Sequence, residues 1–70
     1  MVNNMVLSTE IEWIGYERKR SMLQVEFLTG SIYQYEAVPE RVYESFLGAS
    51  SHGKFFESYI KNNYNSRRVR

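Results

Sequence analysis

The chain has 70 residues, of which 43% are hydrophobic, 24% charged and 16% aromatic, a composition typical of one small globular domain. It contains no cysteine, which excludes disulfides, thiolate metal sites and cysteine nucleophiles. Residues 1–53 carry four of the nine cationic side chains and seven of the eight carboxylates, whereas residues 54–70 carry five cations and one carboxylate. The net charge of +1 is therefore the sum of a mildly acidic body and a basic end.

We expect a cytoplasmic protein with a single domain over residues 1–70, an ordered core at about residues 8–64 and a basic tail at residues 65–70. The first residues lack the basic and apolar regions of a signal peptide. No stretch approaches the ~20 apolar residues of a membrane-spanning helix.

Apolar and polar residues alternate in the first half of the chain, in three runs bounded by turn residues. These runs predict β-strands at about residues 8–16, 21–28 and 31–36. Charged residues 17–20 and the segment Leu28–Gly30 are the two predicted hairpin turns.

The second turn sets a register that can be tested by burial. A three-residue turn that ends at Gly30 pairs Val25 with Tyr33 and Leu23 with Tyr35, which gathers apolar side chains on one face. A two-residue turn would place a glutamine opposite Val25, so the longer turn is favoured.

A three-residue first turn over residues 17–19 pairs Trp13 with Leu23 and Ile11 with Val25, which adds Trp13 and Ile11 to the apolar face. The far face is then mixed and partly exposed, and it carries Ile14, Tyr16, Met22, Gln24, Glu26, Ile32 and Gln34.

The spacing of apolar residues changes from a period of two, typical of strands, to a period of 3.6, typical of helices, in the second half of the chain. Pro39 and Glu40 begin a predicted helix that ends at Gly48, and a second helix is predicted from Lys54 to about Asn63. The arginine-rich end is expected to fray. The predicted fold class is α+β, a three-stranded antiparallel meander followed by two short helices packed on one face of the sheet (β-β-β-α-α).

The order of short motifs along the chain resembles the KTSC domain family, named for the C-terminal segment of some lysyl-tRNA synthetases and found also as small bacterial proteins. The motifs are Ile14-Gly15-Tyr16, Leu23 to Phe27, Gly30 to Tyr35, Val38 to Tyr43, Ala49-Ser50, Gly53 to Phe56, Ile60, Tyr64 and Arg67. The resemblance covers about residues 11–67, and its hallmark is Tyr33-Gln34-Tyr35. It implies a small domain whose synthetase context suggests RNA binding.

Tyr33 and Tyr35 have two interpretations. As exposed rings they would form a stacking platform for single-stranded nucleic acid. The register predicted above instead places both rings in the core, against Val25 and Leu23, and we favour this second interpretation.

The basic end is the stronger binding candidate. Lys54 and Lys61 are seven residues apart, which places them on nearly the same helical face, and the arginines extend beyond them. Five cations on one element would follow a phosphate backbone without reading bases, and they are Lys54, Lys61, Arg67, Arg68 and Arg70. The alternative is a solvated helix face with a mobile tail. A second, smaller patch is formed by Arg18, Lys19 and Arg20.

We expect no enzymatic activity, no cofactor and no metal site. His52 is the single histidine, and its neighbours Ser50 and Ser51 do not make a catalytic triad by adjacency alone, while the chain has no aspartate. One histidine without cysteine is a poor ligand set for a transition metal.

Two functions follow as hypotheses. The first is a non-catalytic module that binds RNA through the basic helix and tail. The second is a protein-interaction module that pairs through a sheet edge with a partner or a second copy, or docks through Ile14, Tyr16, Met22 and Ile32 on the far face. Neither hypothesis involves a membrane.

Overall fold

Five antiparallel strands form one sheet in chain order, and they are β1 (Val2–Met5), β2 (Ile11–Glu17), β3 (Met22–Phe27), β4 (Ile32–Tyr35) and β5 (Ser66–Arg68). The structure is a computed structural model that describes residues 2–6 and 8–70. Between β4 and β5 the chain forms α1 (Glu40–Leu47) and α2 (His52–Phe55), and α2 continues as a π segment (Phe56–Ile60). The α+β class with two helices is confirmed, but the sheet has five strands where three were predicted.

The β3–β4 hairpin has the predicted register. Leu23 pairs with Tyr35 and Val25 with Tyr33, and Gly30 has a positive φ of 94° in the turn. A glycine suits this position because a residue with a Cβ rarely adopts such a backbone angle.

The pairing predicted for β2 with β3 is wrong. Leu23 pairs with Tyr16, three residues further along β2 than Trp13, the predicted partner. Because three is an odd number, the side chains of β2 change faces relative to the prediction. Ile14 and Tyr16 are therefore buried in the core, and Trp13 lies on the opposite face.

Two local features cause this difference. The connection between β2 and β3 contains a 3-10 turn (Arg18–Arg20) followed by Ser21, which has a positive φ of 51°. The strands are thus separated by four residues rather than three. A β-bulge between Ile11 and Trp13 then changes the phase of the strand again and returns Ile11 to the core.

Both helices pack on one face of the sheet, which we call the helix face, and they close a single core. Phe46 of α1 is fully buried, and its ring stacks on Phe55 with 5.3 Å between centroids. Phe56 contacts Tyr35 edge to face at 5.8 Å. The buried residues of the core are Ile11, Ile14, Tyr16, Leu23, Val25, Tyr35, Val38, Phe46, Phe56 and Ile60.

The opposite face of the sheet, which we call the open face, has neither helix packed on it. Its residues follow from the strand registers, and they are Asn3, Met5, Trp13, Gly15, Glu17, Met22, Gln24, Glu26, Ile32, Gln34 and Arg67. Ile14 and Tyr16, which were predicted for this face, are absent from it.

A stacked pair of tyrosines joins the sheet to α1. The rings of Tyr16 and Tyr43 lie 4.8 Å apart and are nearly parallel, with an interplanar angle of 12°. The Tyr16 hydroxyl donates to the backbone carbonyl of Val38, and Asn4 Nδ2 donates to the Tyr43 hydroxyl at 2.7 Å. These contacts fix β1, β2 and the approach to α1 relative to one another.

We expect the substitution Tyr16→Phe to lower the free energy of unfolding by about 1–3 kcal/mol, because it leaves the Val38 carbonyl without its partner. Urea unfolding followed by circular dichroism measures this loss. Tyr59→Phe is the matched control, since Tyr59 is 58% exposed and its change should stay within ~0.5 kcal/mol. Equal losses in both variants would contradict the role assigned to the Tyr16 hydroxyl.

Burial raises the pKa of Tyr35 to about 12, with a smaller contribution from the neighbouring Tyr33. An unfolded tyrosine titrates near ~10, so the folded state keeps the proton longer. This contribution to stability is complete below about pH 10 and is lost as the pH rises through about 12. We therefore expect Tyr35→Phe to lose less stability than the parent between about pH 9 and 11 in urea unfolding. An identical loss in parent and variant would contradict the shift.

Candidate nucleic-acid interface

The C-terminal arginines, predicted as a frayed tail, lie on or beside the edge strand β5. Arg67 pairs with Gln34 and Arg68 with Tyr33 of β4. The pairing continues beyond the strand, because the Ile32 N–H donates to the Arg70 carbonyl at 2.8 Å. The backbone of the basic segment is thus held by long-range hydrogen bonds.

The alternation of side chains in β5 sends its arginines to different faces. Arg67 is on the open face, whereas Arg68 is on the helix face, opposite Tyr33. Both are exposed, and neither pairs with a glutamate side chain among residues 2–6 and 8–70, while Arg68 Nε donates to the main-chain oxygen of Arg70 at 3.1 Å. Their charges are therefore available to a ligand.

Arg70 is bound to the protein itself. Its Nη2 atom lies 3.1 Å from Glu26 Oε2, and its Nε donates to the Gly30 carbonyl at 3.4 Å. This ion pair crosses β4 and gives the charge of Arg70 a partner within the protein.

A row of hydrogen bonds crosses the open face from β5 to β3. Arg67 Nη2 donates to Gln34 Oε1 at 3.3 Å, and Gln34 Nε2 donates to Gln24 Oε1 at 3.0 Å. In the sheet register, Gly15 of β2 follows Gln24 in the same row. Trp13, two residues before Gly15, is half-buried on this face.

The second basic patch lies at the end of the sheet where β5 begins. Arg18 Nε binds Glu40 Oε2 at 2.7 Å, which links the 3-10 turn to α1, while Lys19 and Arg20 are exposed. The turn leads directly into β3, and two strand spacings of about 5 Å each separate β3 from β5. The basic segment runs away from this end, because Arg67 and Arg68 lie opposite Gln34 and Tyr33 and Arg70 reaches the Gly30 carbonyl at the other end of the sheet.

The five cations are divided between the helix layer and the β5 segment, so the prediction of five cations on one element is wrong. Lys54 and Lys61 belong to the helix layer, and Lys61 pairs with Glu57 at 3.7 Å. Lys61 also lines a groove of about 390 Å³ with Tyr33 and Ser66, on the helix face of the sheet.

The structure places Tyr33 and Tyr35 on the helix face. Tyr35 is 4% exposed, and the half-buried Tyr33 packs edge to face against Phe27 at 5.8 Å. Neither ring reaches the open face, where Trp13 is the aromatic residue. Sequence reasoning missed Trp13 through the error in the first turn, whereas the register it predicted for β3 and β4 also implies the pairing of Gln24 with Gln34.

His52 has a structural contact rather than a catalytic partner. Its Nε2 lies 3.1 Å from the carbonyl of Leu47 at the end of α1, and its Nδ1 is buried without a hydrogen-bond partner. The part of the chain that the structure describes contains no group of three His, Cys, Asp or Glu side chains suited to a metal ion. In the same residues, no helix has both the length and the apolar character needed to cross a membrane.

Comparison with known proteins gives matches in sequence and in fold. The sequence model of the KTSC domain matches residues 7–64. A protein of Stutzerimonas stutzeri, described as uncharacterized, is 39% identical over 54 residues, which are 77% of this chain and 76% of that protein. The lysine–tRNA ligase of Nostoc punctiforme is 39% identical over 54 residues, and these are 10% of the ligase.

The fold agrees along nearly the whole chain. A crystal structure of a KTSC domain protein from Yersinia pestis superposes with a TM-score of 0.95 and 36% sequence identity, over 99% of this chain and 97% of that one. That range includes β1 and β5, which lie outside the segment matched by the family's sequence model. By sequence and by fold, the chain belongs to the KTSC domain family.

Proposed function

We propose that this domain is a non-catalytic module that binds single-stranded nucleic acid, RNA in preference to DNA, through β5 and the adjoining open face. The observation that carries the proposal is the fixed edge strand, which holds Arg67 beside the uncovered open face and Arg68 on the helix face, neither with a glutamate partner among residues 2–6 and 8–70. An ordered backbone presents these two guanidinium groups at a constant spacing, so less conformational entropy is lost on binding than with a frayed tail.

The guanidinium groups would contact phosphates. Each offers planar, charge-assisted hydrogen bonds that match phosphate oxygens. Lys19 and Arg20 are exposed on the turn into β3 and provide a second cationic group at the end of the sheet where β5 begins. Arg18 and Arg70 contribute less, because Glu40 and Glu26 hold them in ion pairs.

The preference for RNA rests on the relatives. Matches of similar identity occur within lysine–tRNA ligases of three cyanobacterial strains, where they span about a tenth of each ligase. A ligase named for tRNA gives such a segment an RNA context, and we extend that context to this chain. We also propose that the domain acts in the cytoplasm, consistent with a chain that has no cysteine.

A protein-interaction module is the second candidate, favoured by exposed apolar side chains at both edges of the sheet. Met5 on β1 is 65% exposed, and Val69 beside β5 is 44% exposed. Of the four far-face residues first assigned to this function, Ile14 and Tyr16 are in the core, so only Met22 and Ile32 remain on the open face.

The test is fluorescence anisotropy of a labelled single-stranded RNA at two salt concentrations. With three phosphate contacts we expect the affinity to fall ~20-fold between about 50 and 200 mM salt. The double substitution Arg67→Glu/Arg68→Glu should remove binding at both concentrations, because it replaces two phosphate contacts with repulsion.

The matched control is Arg41→Glu/Lys54→Glu, which makes the same change in net charge on the helix layer. Both residues are exposed there, so we expect binding close to that of the parent protein. Equal losses in the two double variants would show that net charge, not β5, determines the affinity. Absence of binding by the parent, or binding without salt dependence, would contradict the proposed function and favour the protein-interaction module.

A further inference from the structure

We infer that the open face holds an unstacked base of the bound strand that offers a carbonyl oxygen, stacked on Trp13 and hydrogen-bonded by the amide of Gln24. This inference rests on the proposed function and adds the part of the ligand that is recognised. It follows from the order of donors and acceptors along the hydrogen-bonded row that begins at Arg67.

Arginine fixes that order because a guanidinium group only donates. Its contact turns the oxygen of Gln34 toward β5 and leaves the Gln34 amide nitrogen to donate onward. The oxygen of Gln24 then faces Gln34, and the amide nitrogen of Gln24 has no acceptor among residues 2–6 and 8–70. The row thus ends in a free donor near the middle of the sheet.

An aromatic ring lies next to this free donor. Trp13 is the diagonal neighbour of Gln24 across the β2–β3 pair, at a Cα separation of about 7–8 Å. Gly15 adds no side chain between them, and its backbone is already covered by its neighbours. The half-buried indole keeps part of its ring exposed, and an exposed aromatic ring can stack on a base.

The free hydrogen-bonding groups of this face specify the class of base. Glutamine recognises adenine through its oxygen and nitrogen together, but the oxygen of Gln24 is already occupied by Gln34. Gln24 and Arg67 therefore present donors, which match the carbonyl oxygen of uracil, cytosine or guanine and the phosphate oxygens of the strand. Glu26, which lies directly opposite Trp13, pairs with Arg70.

Three probes of equal length separate base recognition from phosphate binding, and they are an oligouridylate, an oligoadenylate and a base-free phosphodiester chain. We expect the parent protein to bind the oligouridylate about 5–150-fold more tightly than the base-free chain, the range typical of one stacked base. Trp13→Leu should reduce oligouridylate affinity to that of the base-free chain and leave the salt dependence unchanged, whereas Trp13→Tyr should restore most of the difference.

Gln24→Met removes the donor while it preserves side-chain length, and it should weaken oligouridylate binding by about 2–10-fold and oligoadenylate binding by less. Tyr59→Leu, which removes an exposed ring from the helix layer, is the control and should change nothing.

The outcomes distinguish this inference from the proposed function. Unchanged oligouridylate affinity in both Trp13→Leu and Gln24→Met, with the parent's salt dependence, would overturn base recognition and leave phosphate binding intact. A parent protein that binds none of the three probes would overturn both. Sedimentation could instead show that the parent protein is a dimer and the Trp13→Leu variant a monomer, with the same RNA affinity. That result would assign the open face to a second copy of the chain and overturn the inference.

Discussion

The pairing of Tyr16 with Leu23 is the constraint on which both faces of the sheet depend. It places the Tyr16 ring against Tyr43 and its hydroxyl on Val38, which fixes the approach to α1. The same pairing puts Trp13 on the open face. A slip of one residue would expose Ile14, at a loss of about 1.5–3 kcal/mol, and would leave the Val38 carbonyl unpaired. One register therefore determines both the core and the composition of the candidate interface.

The edge strands show how a small sheet can be both protected and functional. β5 has three residues, and charged side chains dominate it, two properties that discourage pairing with a second sheet. The arginines that protect the edge also supply the hydrogen-bond donors of the proposed interface. Aggregation resistance and ligand binding thus draw on the same side chains, so a neutral β5 would lose both.

The parts of the fold that the sequence predicts are those with local signals. The turn at Gly30 and the helix between Pro39 and Gly48 follow from residues that directly determine backbone angles. β1 and β5 are too short for a period to appear, and their pairing depends on residues far away in the chain. The positive φ of Ser21 could not be predicted either, because serine rarely adopts it; here the Ser21 N–H donates to the Arg18 carbonyl, and the Ser21 carbonyl accepts from the Val38 N–H. The errors on the site have the same origin, since Trp13 was misplaced by that turn and Arg67 by the missing strand.

The two chemical parts of the interface are coupled through Arg67. A carboxylate at this position would accept a hydrogen bond instead of donating one, so Gln34 would turn its nitrogen toward β5 and its oxygen toward β3. Gln24 would then donate to Gln34 and present its own oxygen to a ligand. Arg67→Glu thus removes a phosphate contact and, two strands away, replaces the donor that would meet a base carbonyl with an acceptor. Arg68 lies on the helix face outside this row, so Arg68→Glu changes the charge alone. Comparison of the two single variants therefore separates electrostatic attraction from base recognition.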